Sequence, residues 1–367
     1  MRLSRRHALV QTTTALLGAW GAAALASPAV GIPVQLGSTQ GEFAGFDCLA
    51  PFQLEQQFFS QGRWRLERQG SRLRVGGQLF PLPCRLQGGV IRIGSSQPRA
   101  YRGWIQIQAW GSWGLRLMNW VDLESYVLGV VTAEMPADWP LASLMAQAVL
   151  VRTRALAYRQ PMYREPRRWL QDSTQDQRYG GLSSEDPRGW QAVQRTRGQI
   201  LTYGGQPIAV LFHSTCAGHT SANQLIFAPP PRPYLQGVPC SYCQDSPFYA
   251  PYRVRLSYGQ LEQIFGSPDI TLIQADPWGR PLQIAMGSRL WSGQEWWQRL
   301  GSRLGWGVLP GNRFSWVVGE GGIVLTGQGA GHGVGMCQWG SRGLALLGKD
   351  YGAILRYYCP GTSLQTV

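Results

Sequence analysis

Lysine is nearly absent. Lys349 is the single lysine in 367 residues, so a net charge of +14 rests almost wholly on arginine. Arginine offers a planar, always-charged fork that pairs with carboxylate and phosphate. A basic chain of this kind suits nucleic acid, acidic lipid or an acidic polymer. A basic surface with no dedicated partner is the plain alternative. Zinc-finger spacing, RNP-like aromatic runs and a basic helix are all missing, so no nucleic-acid partner is expected. Beyond the N-terminal leader no stretch is long and apolar enough to span a bilayer. No G-K-[ST] closes the glycine-rich stretch near the C-terminus, and G-x-G-x-x-G does not fit it, which excludes a phosphate loop. No tandem repeat interrupts the chain.

What is present points to a globular protein rich in turns. Hydrophobic residues make up 44% of the chain, with 47 glycines, 24 prolines and 16 tryptophans. The length allows two domains or one large one. The opening "MRLSRRHALVQTTTALLGAWGAAALASPAVG" sets Arg2, Arg5 and Arg6 before an apolar run and Ala24-Leu25-Ala26. This reads as a secretory signal, residues 1–26, with a twin-arginine flavour in "SRRHAL". An uncleaved membrane anchor is the alternative. The protein is therefore expected to be exported, to the periplasm or cell envelope, and to meet a membrane only through an uncleaved signal. In that compartment the seven cysteines allow Cys48–Cys84 and Cys337–Cys359 as disulfides, with one of Cys216, Cys240 and Cys243 left over.

Residues 27–115 read as a β-rich segment. "RWRLERQGSRLRVGGQLF" and "GGVIRIGSSQPRAYRGWIQIQAW" alternate apolar and polar residues between glycine turns. From Leu141 to Tyr158 the apolar positions 141, 144, 148, 151, 155 and 156 fit a helical face, with Pro140 at its start and Pro161 beyond its end. "QAVQRTRGQILTYGGQPIAV" predicts a short helix and a hairpin turning at Gly204-Gly205. "GQLEQIFG" and "GQEWWQRLG" look helical, and "DPWGRPLQIAMG" looks like a turn into a strand. The C-terminal block runs from a strand through a glycine loop into two short helices. The fold class is α+β: a mixed core over 116–367 behind a β-rich N-terminal segment.

Glu134 is the residue that asks for a function. It stands in "AEMPADWP", several residues ahead of the Leu141 helix, beside Met135, Pro136 and Trp139. An acidic side chain favoured by a helix N-terminus is the bland account. Desolvation by those neighbours would instead keep a carboxyl protonated near neutral pH, as a general acid on a glycosidic oxygen requires.

The stretch "LESYVLGVVTAEMPADWPLASLMAQAVLVRTRALAY" resembles the core of the SpoIID/LytB domain. So do "DSTQDQRYGG", "AVQRTRGQILTYGGQPIAVLFHSTCAGHT" and "GQGAGHGVGMCQWGSRGLALLGKDYGAILRYYCPGT", in the family's order, over roughly 117–363. The family is named for a sporulation protein that trims cell-wall glycan and for an amidase enhancer. The resemblance implies lytic transglycosylase activity on peptidoglycan glycan strands, best on strands stripped of peptide. It places the catalytic glutamate on Glu134, and a motif glutamine and arginine on Gln147 and Arg152. Where the family often has "EALKAQA", this chain has "ASLMAQA", so Met145 replaces a lysine and any contact that lysine makes is lost or moved. The resemblance also implies a sugar groove made by the loops 172–179, 213–219 and 329–339. Its expected substrate-binding residues are Gln147, Arg152, Asp172, Ser173, Gln177, Tyr179, His213, Ser214, His332 and Gln338, with Trp339 beside them.

One carboxyl suffices for such chemistry, because the sugar's own 6-hydroxyl replaces water as nucleophile, whereas ordinary glycosidases use two carboxyls. Asp172 and Asp176 are the nearest second acids in sequence, and a turn or cap role suits them equally. No cofactor is expected. Some relatives carry zinc on Cys and His near the "DST" block, and "DSTQDQ" has neither. A different zinc cluster on Cys216, His219, Cys240 and Cys243 is an alternative, as disulfides are. A Cys216–His213 nucleophile pair lacks a third orienting residue. Gly329, Gly331, Gly333 and Gly335 either bring backbone close to sugar or simply take positive φ around a core histidine. A second functional class stays open: a non-catalytic wall-binding partner that stimulates a cell-wall amidase. So does a third, a structural protein of the envelope.

Overall fold

A computed structural model describes residues 31–39, 46–48, 50–88, 91–93, 99–112, 114–157, 169–172, 176–227 and 230–367. The signal-like residues 1–26, Pro161 and Ser173 lie outside the described residues. The chain forms two compact units. Unit 1 comprises Met1–Asp138, Gln147–Ala209 and Leu364–Val367; unit 2 comprises Trp139–Ala146 and Val210–Ser363. The boundary expected at residue 115 falls inside the strand Gly114–Val121, which is hydrogen-bonded on both sides.

Unit 1 is built on a seven-stranded sheet. Its order is 170–171, 32–39, 114–121, 104–110, 84–88, 52–54 and 57–59. The pairing is antiparallel apart from the parallel match of Val34 with Leu170. The strand Trp104–Trp110 shows why these residues form a sheet. Ile105 and Ile107 point inward and are 1% exposed, while Gln106 and Gln108 alternate outward. Ile105 faces Leu86, and Ile107 faces Leu117 on the other side. A four-stranded and a three-stranded sheet complete the β-rich segment.

Two helices follow the sheet: α1 (Leu123–Glu134) and α2 (Leu141–Ala157). The α1 helix is a correction to the sequence reading, in which Glu134 stood in a loop ahead of a helix. Asp122 caps α1 by accepting from Ser125 N–H at 3.0 Å, and Glu134 is its last residue. Residues Tyr126 to Val131 are all buried, so α1 has no polar stripe and no helical period for the eye to find. Its valines and Gly129 also read as strand or turn. Next comes α3 (Pro187–Arg195), with Asp186 as its cap and Pro187 at its first position. The expected hairpin follows as Gln199–Tyr203 and Gln206–Pro207.

Unit 2 holds α4 (Tyr258–Phe265), α5 (Gly293–Leu304), α6 (Gln338–Leu346) and α7 (Tyr351–Tyr358). Capping boxes start α4 at Ser257 with Gln260, and α5 at Ser292 with Glu295. Gly266, at φ 84°, ends α4 in the left-handed turn that suits glycine. Two three-stranded antiparallel sheets pack with α4 and α5, 252–257/322–328/313–319 and 270–275/281–286/289–292. Leu256, Leu261, Ile264, Phe265, Ile284, Met286 and Leu325 close a core around Trp296. The architecture is α+β, as expected. Among the described residues no helix is long and apolar enough to cross a membrane.

Trp296 is fully buried, stacked on Phe265 at 4.8 Å and tilted on Phe314 at 5.0 Å. Trp296→Ala should destabilise the protein by about 3–5 kcal/mol. Trp296→Phe should lose far less, because it also removes an indole N–H that has no hydrogen-bond partner. Urea unfolding monitored by circular dichroism measures both.

Candidate functional site

Glu134 ends α1 with its side chain half-buried, and the main-chain N–H of Arg178 donates to its Oε1 at 2.6 Å. Two local fields oppose each other there. The C-terminal end of a helix carries partial negative charge, which favours a neutral carboxyl. The N–H donor favours the ionised one. Beside it lies an open cleft of about 430 Å³ lined by Arg99, Thr132, Ala133, Asp172, Arg178 and Ser183, among others.

The segment 177–179 is held from below. Tyr179 Oη donates to Asn119 Oδ1 at 2.8 Å, and Tyr126 Oη donates to Gln177 Oε1 at 2.9 Å. In an extended segment alternate side chains face opposite ways. Gln177 and Tyr179 therefore point into unit 1 and are 1% exposed, while Arg178 faces solvent. Gly129 of α1 makes room for this: a Cβ there would stand 2.7 Å from the Tyr179 ring. Gly129 O also accepts from Gly180 N–H at 2.9 Å.

The two aspartates of this loop are engaged on both oxygens. Asp172 Oδ2 accepts from Arg99 at 2.8 Å and Oδ1 from Tyr179 N–H at 3.0 Å. Burial pushes the Asp172 carboxyl above its usual range, against the pull of Arg99. Asp176 Oδ1 accepts from Arg154, and Oδ2 accepts from Gln171 N–H at 2.8 Å.

Arg152 does not meet Glu134. It is fully buried and forks onto Glu124, with Nε to Oε1 at 2.9 Å and Nη2 to Oε2 at 2.6 Å. Its third arm donates to Gln199 O at 3.0 Å. Arg152 thus ties α2 to α1 and to the strand Gln199–Tyr203, a positioning role where sugar binding was expected. Gln147 is also fully buried, and its amide N and O have no hydrogen-bond partner among the described residues. Tyr179, expected to face substrate, is spent inside unit 1. Glu124, Arg99 and Arg178 were missed. Nothing local marks them, because their partners lie 28 to 73 residues away.

The other expected residues belong to unit 2. His213 is buried, with Nδ1 3.1 Å from Val334 O and Nε2 without a partner among the described residues. Burial, and then the nearby His332, holds His213 well below the ordinary histidine range, so it is neutral. The His332 ring lies 5.6 Å from His213 and 5.1 Å from Phe227, and its Nδ1 accepts from Val334 N–H at 3.1 Å. Ser214 O accepts from Trp339 N–H at 3.1 Å, and Trp339 packs edge-on against Trp139 at 4.9 Å. Gln338 is buried at the start of α6. Gly331 and Gly333 have φ 93° and 76°, and a Cβ on them would strike His213 and the Arg280 guanidinium. These glycines let the backbone pass close to protein side chains. Arg280 is a further missed residue: it is buried, donates to Ser221 Oγ, and burial lowers it to about 10.

All seven cysteines are free and buried. Cys48 and Cys84 sit in different sheets of unit 1. In unit 2, Cys216, Cys240, Cys243 and Cys337 bring their sulfurs within 4.8 Å of one another. His219, the expected fourth member, instead places Nδ1 2.5 Å from Thr220 O and rests on Trp278 at 4.1 Å. Cys337 takes its place, from 121 residues beyond Cys216, and so leaves the pairing considered with Cys359. Burial holds the Cys337 thiol well above the ordinary thiol range.

Two substitutions test this geometry. Arg152→Met should cost about 3–5 kcal/mol in chemical denaturation, because it strands a part-buried Glu124 charge. Arg152→Met with Glu124→Gln should recover part of that loss. Tyr179→Phe should cost about 1–3 kcal/mol, since it leaves Asn119 Oδ1 without its donor.

Residues 112–203, which carry Glu134, Arg178 and the two tyrosines, match the family model described as Stage II sporulation protein. An uncharacterized protein of Brachyspira hyodysenteriae is 34% identical over 259 residues, 68% of each chain. Stage II sporulation protein D of Bacillus subtilis is 30% identical over 265 residues, 67% of this chain and 75% of that one. The amidase enhancer of Bacillus subtilis is 24% identical over 298 residues, 65% of this chain and 40% of that protein. With the expected blocks in their order and relatives matched over two thirds of its length, the chain belongs to the SpoIID/LytB family.

Proposed function

We propose that this protein is an exported lytic transglycosylase that cleaves peptidoglycan glycan strands, with Glu134 as acid and then base. The observation that carries the reading is the unequal state of the acids around the cleft. Asp172 and Asp176 each have both oxygens committed to partners within unit 1. Among the described residues that line the cleft Asp172 is the one acid, and with its oxygens committed it is not free to serve hydrolysis as a second carboxyl, either as nucleophile or to activate water. An internal nucleophile removes that need.

In this reading Glu134 gives its proton to the glycosidic oxygen as the C1–O bond breaks. The 6-hydroxyl oxygen of the same muramic residue then attacks C1, and its proton passes to Glu134. The products are a free 4-hydroxyl end and a 1,6-anhydromuramic end, and Glu134 is protonated again. The Arg178 N–H steadies the carboxylate between the two transfers. The exposed Arg178 side chain and the Arg99 guanidinium at the cleft suit the lactyl carboxylate of muramic acid. Such attraction weakens as salt rises. A strand stripped of peptides suits an open cleft.

A second reading has one observation in its favour, the similarity to an amidase enhancer. There the protein binds wall glycan and stimulates an amidase without cutting sugar. Purified protein incubated with denuded glycan separates the two: anhydro ends found by mass spectrometry support cleavage. Glu134→Gln should lower turnover by about 10²–10⁴-fold at unchanged fold. Undiminished activity in that variant overturns the assignment of the acid. Absence of anhydro ends together with faster peptide release by an added amidase favours the enhancer.

A further inference from the structure

We propose that Cys216, Cys240, Cys243 and Cys337 form a tetrathiolate site for one zinc ion, which serves as the structural centre of the loop half of unit 2. The geometry fits the ion. Four sulfurs about 2.3 Å from a tetrahedral zinc stand about 3.8 Å from one another. Here all four lie within 4.8 Å, and Cys216 and Cys243 are 3.7 Å apart. A four-iron cluster, ligated on its outer corners, needs a wider cage. Cys240 precedes and Cys243 ends the short turn Ser241–Cys243, the C-x-x-C spacing by which one turn presents two sulfurs to one ion.

The surroundings suit thiolates. Cys337 Sγ accepts main-chain N–H groups from Cys216 at 3.4 Å and Gly340 at 3.3 Å. Gly218 N–H serves Cys243, and the Tyr358 hydroxyl lies 3.1 Å from Cys240 Sγ. Donors to ligand sulfurs are the usual outer shell of such a site. Cys337 is also the N-cap of α6, where the helix dipole favours negative charge. Gly340, one turn into α6, has no alternative: a Cβ there would stand 2.6 Å from Cys240 Sγ and strike Tyr358. The helix is brought against the sulfurs by a residue that cannot be larger.

The site also stands apart from the core around Trp296. The apolar core around Trp296 draws on residues from Leu256 to Leu325 and none from the loops 210–243 or 329–337. Those loops pair only briefly, Phe212–His213 with Met336–Cys337 and Gly218–His219 with Pro239–Cys240. A zinc ion would join both pairs and the start of α6 at one point. Binding is balanced: four thiols lose four protons as four zinc–sulfur bonds form, so affinity falls as pH drops. The proposal is independent of whether Glu134 cleaves glycan.

The test uses the full chain purified without chelator. One equivalent of zinc per chain is expected by elemental analysis. Replacement by cobalt(II) should give the intense visible bands of a tetrahedral sulfur site. Cys243→Ser and Cys337→Ser should lose the metal, whereas His219→Ala, Cys48→Ser and Cys359→Ser should keep it. If the ligand variants fail to fold, wild-type protein decides alone. Alkylation should reach the four cysteines only after chelation, and chelation should lower the melting temperature by several degrees. Disulfides among these four cysteines in the purified protein, sub-stoichiometric metal, or metal lost in His219→Ala would overturn the proposal.

Discussion

Two buried phenols decide where the loop beside Glu134 lies. Tyr179 is anchored on Asn119 of the central sheet, and Tyr126 of α1 holds Gln177. Between those anchors the chain has one free direction, and it turns the Arg178 N–H onto Glu134. The arrangement needs a glycine inside α1 at position 129, where any side chain would strike the Tyr179 ring. A glycine inside a helix costs about 1 kcal/mol relative to alanine. Here it is repaid by a buried tyrosine and a main-chain bond to Gly180. Sheet, helix and loop are therefore set against one another by polar contacts inside an apolar unit. Unmade, each of those contacts would be penalised.

The arginine bias takes on a different meaning in this light. Much of the positive charge is structural. Arg152 joins α1, α2 and a strand from a fully buried position. Arg68 donates to four carbonyls, those of Gly70, Trp110, Gly111 and Gly114. Arg102 forks onto Glu185, and Arg280 is buried against Ser221 and Asp276. A lysine has three donors on one point and cannot bridge in this way, while arginine has five in a fixed plane. The net charge of +14 thus overstates the part available to an acidic partner. Arg178 and Arg99 are the arginines that line the cleft beside Glu134.

Unit 2 solves the same problem with different means. One half has a conventional aromatic core around Trp296. The other is made of short strand pairs and turns in which glycines at positive φ let chains pass within contact distance. Its buried apolar side chains, Leu235, Val334 and Met336 among them, are joined there by specific polar and sulfur contacts. The cluster of four sulfurs and the buried Arg280 stand at its crossings.

The sequence by itself determined the local grammar. Alternation gave the strands around Ile105 and Ile107, Gly204-Gly205 gave the hairpin, and the helical look of "GQLEQIFG" and "GQEWWQRLG" gave α4 and α5. It also marked Glu134 as the acid worth explaining. What it did not reveal was α1, because a helix buried on nearly every side has no polar face to set its period. Nor did it show that Arg152 serves Glu124, that Tyr179 faces inward, or that Cys337 and not His219 joins the cysteine cluster. Those are choices among chemically equivalent partners, and the partners lie 28, 60 and 121 residues apart. Local sequence carries hydrogen-bond capacity and hydrophobic period. Which donor meets which acceptor depends on distances that exist only once the sheets and helices have packed.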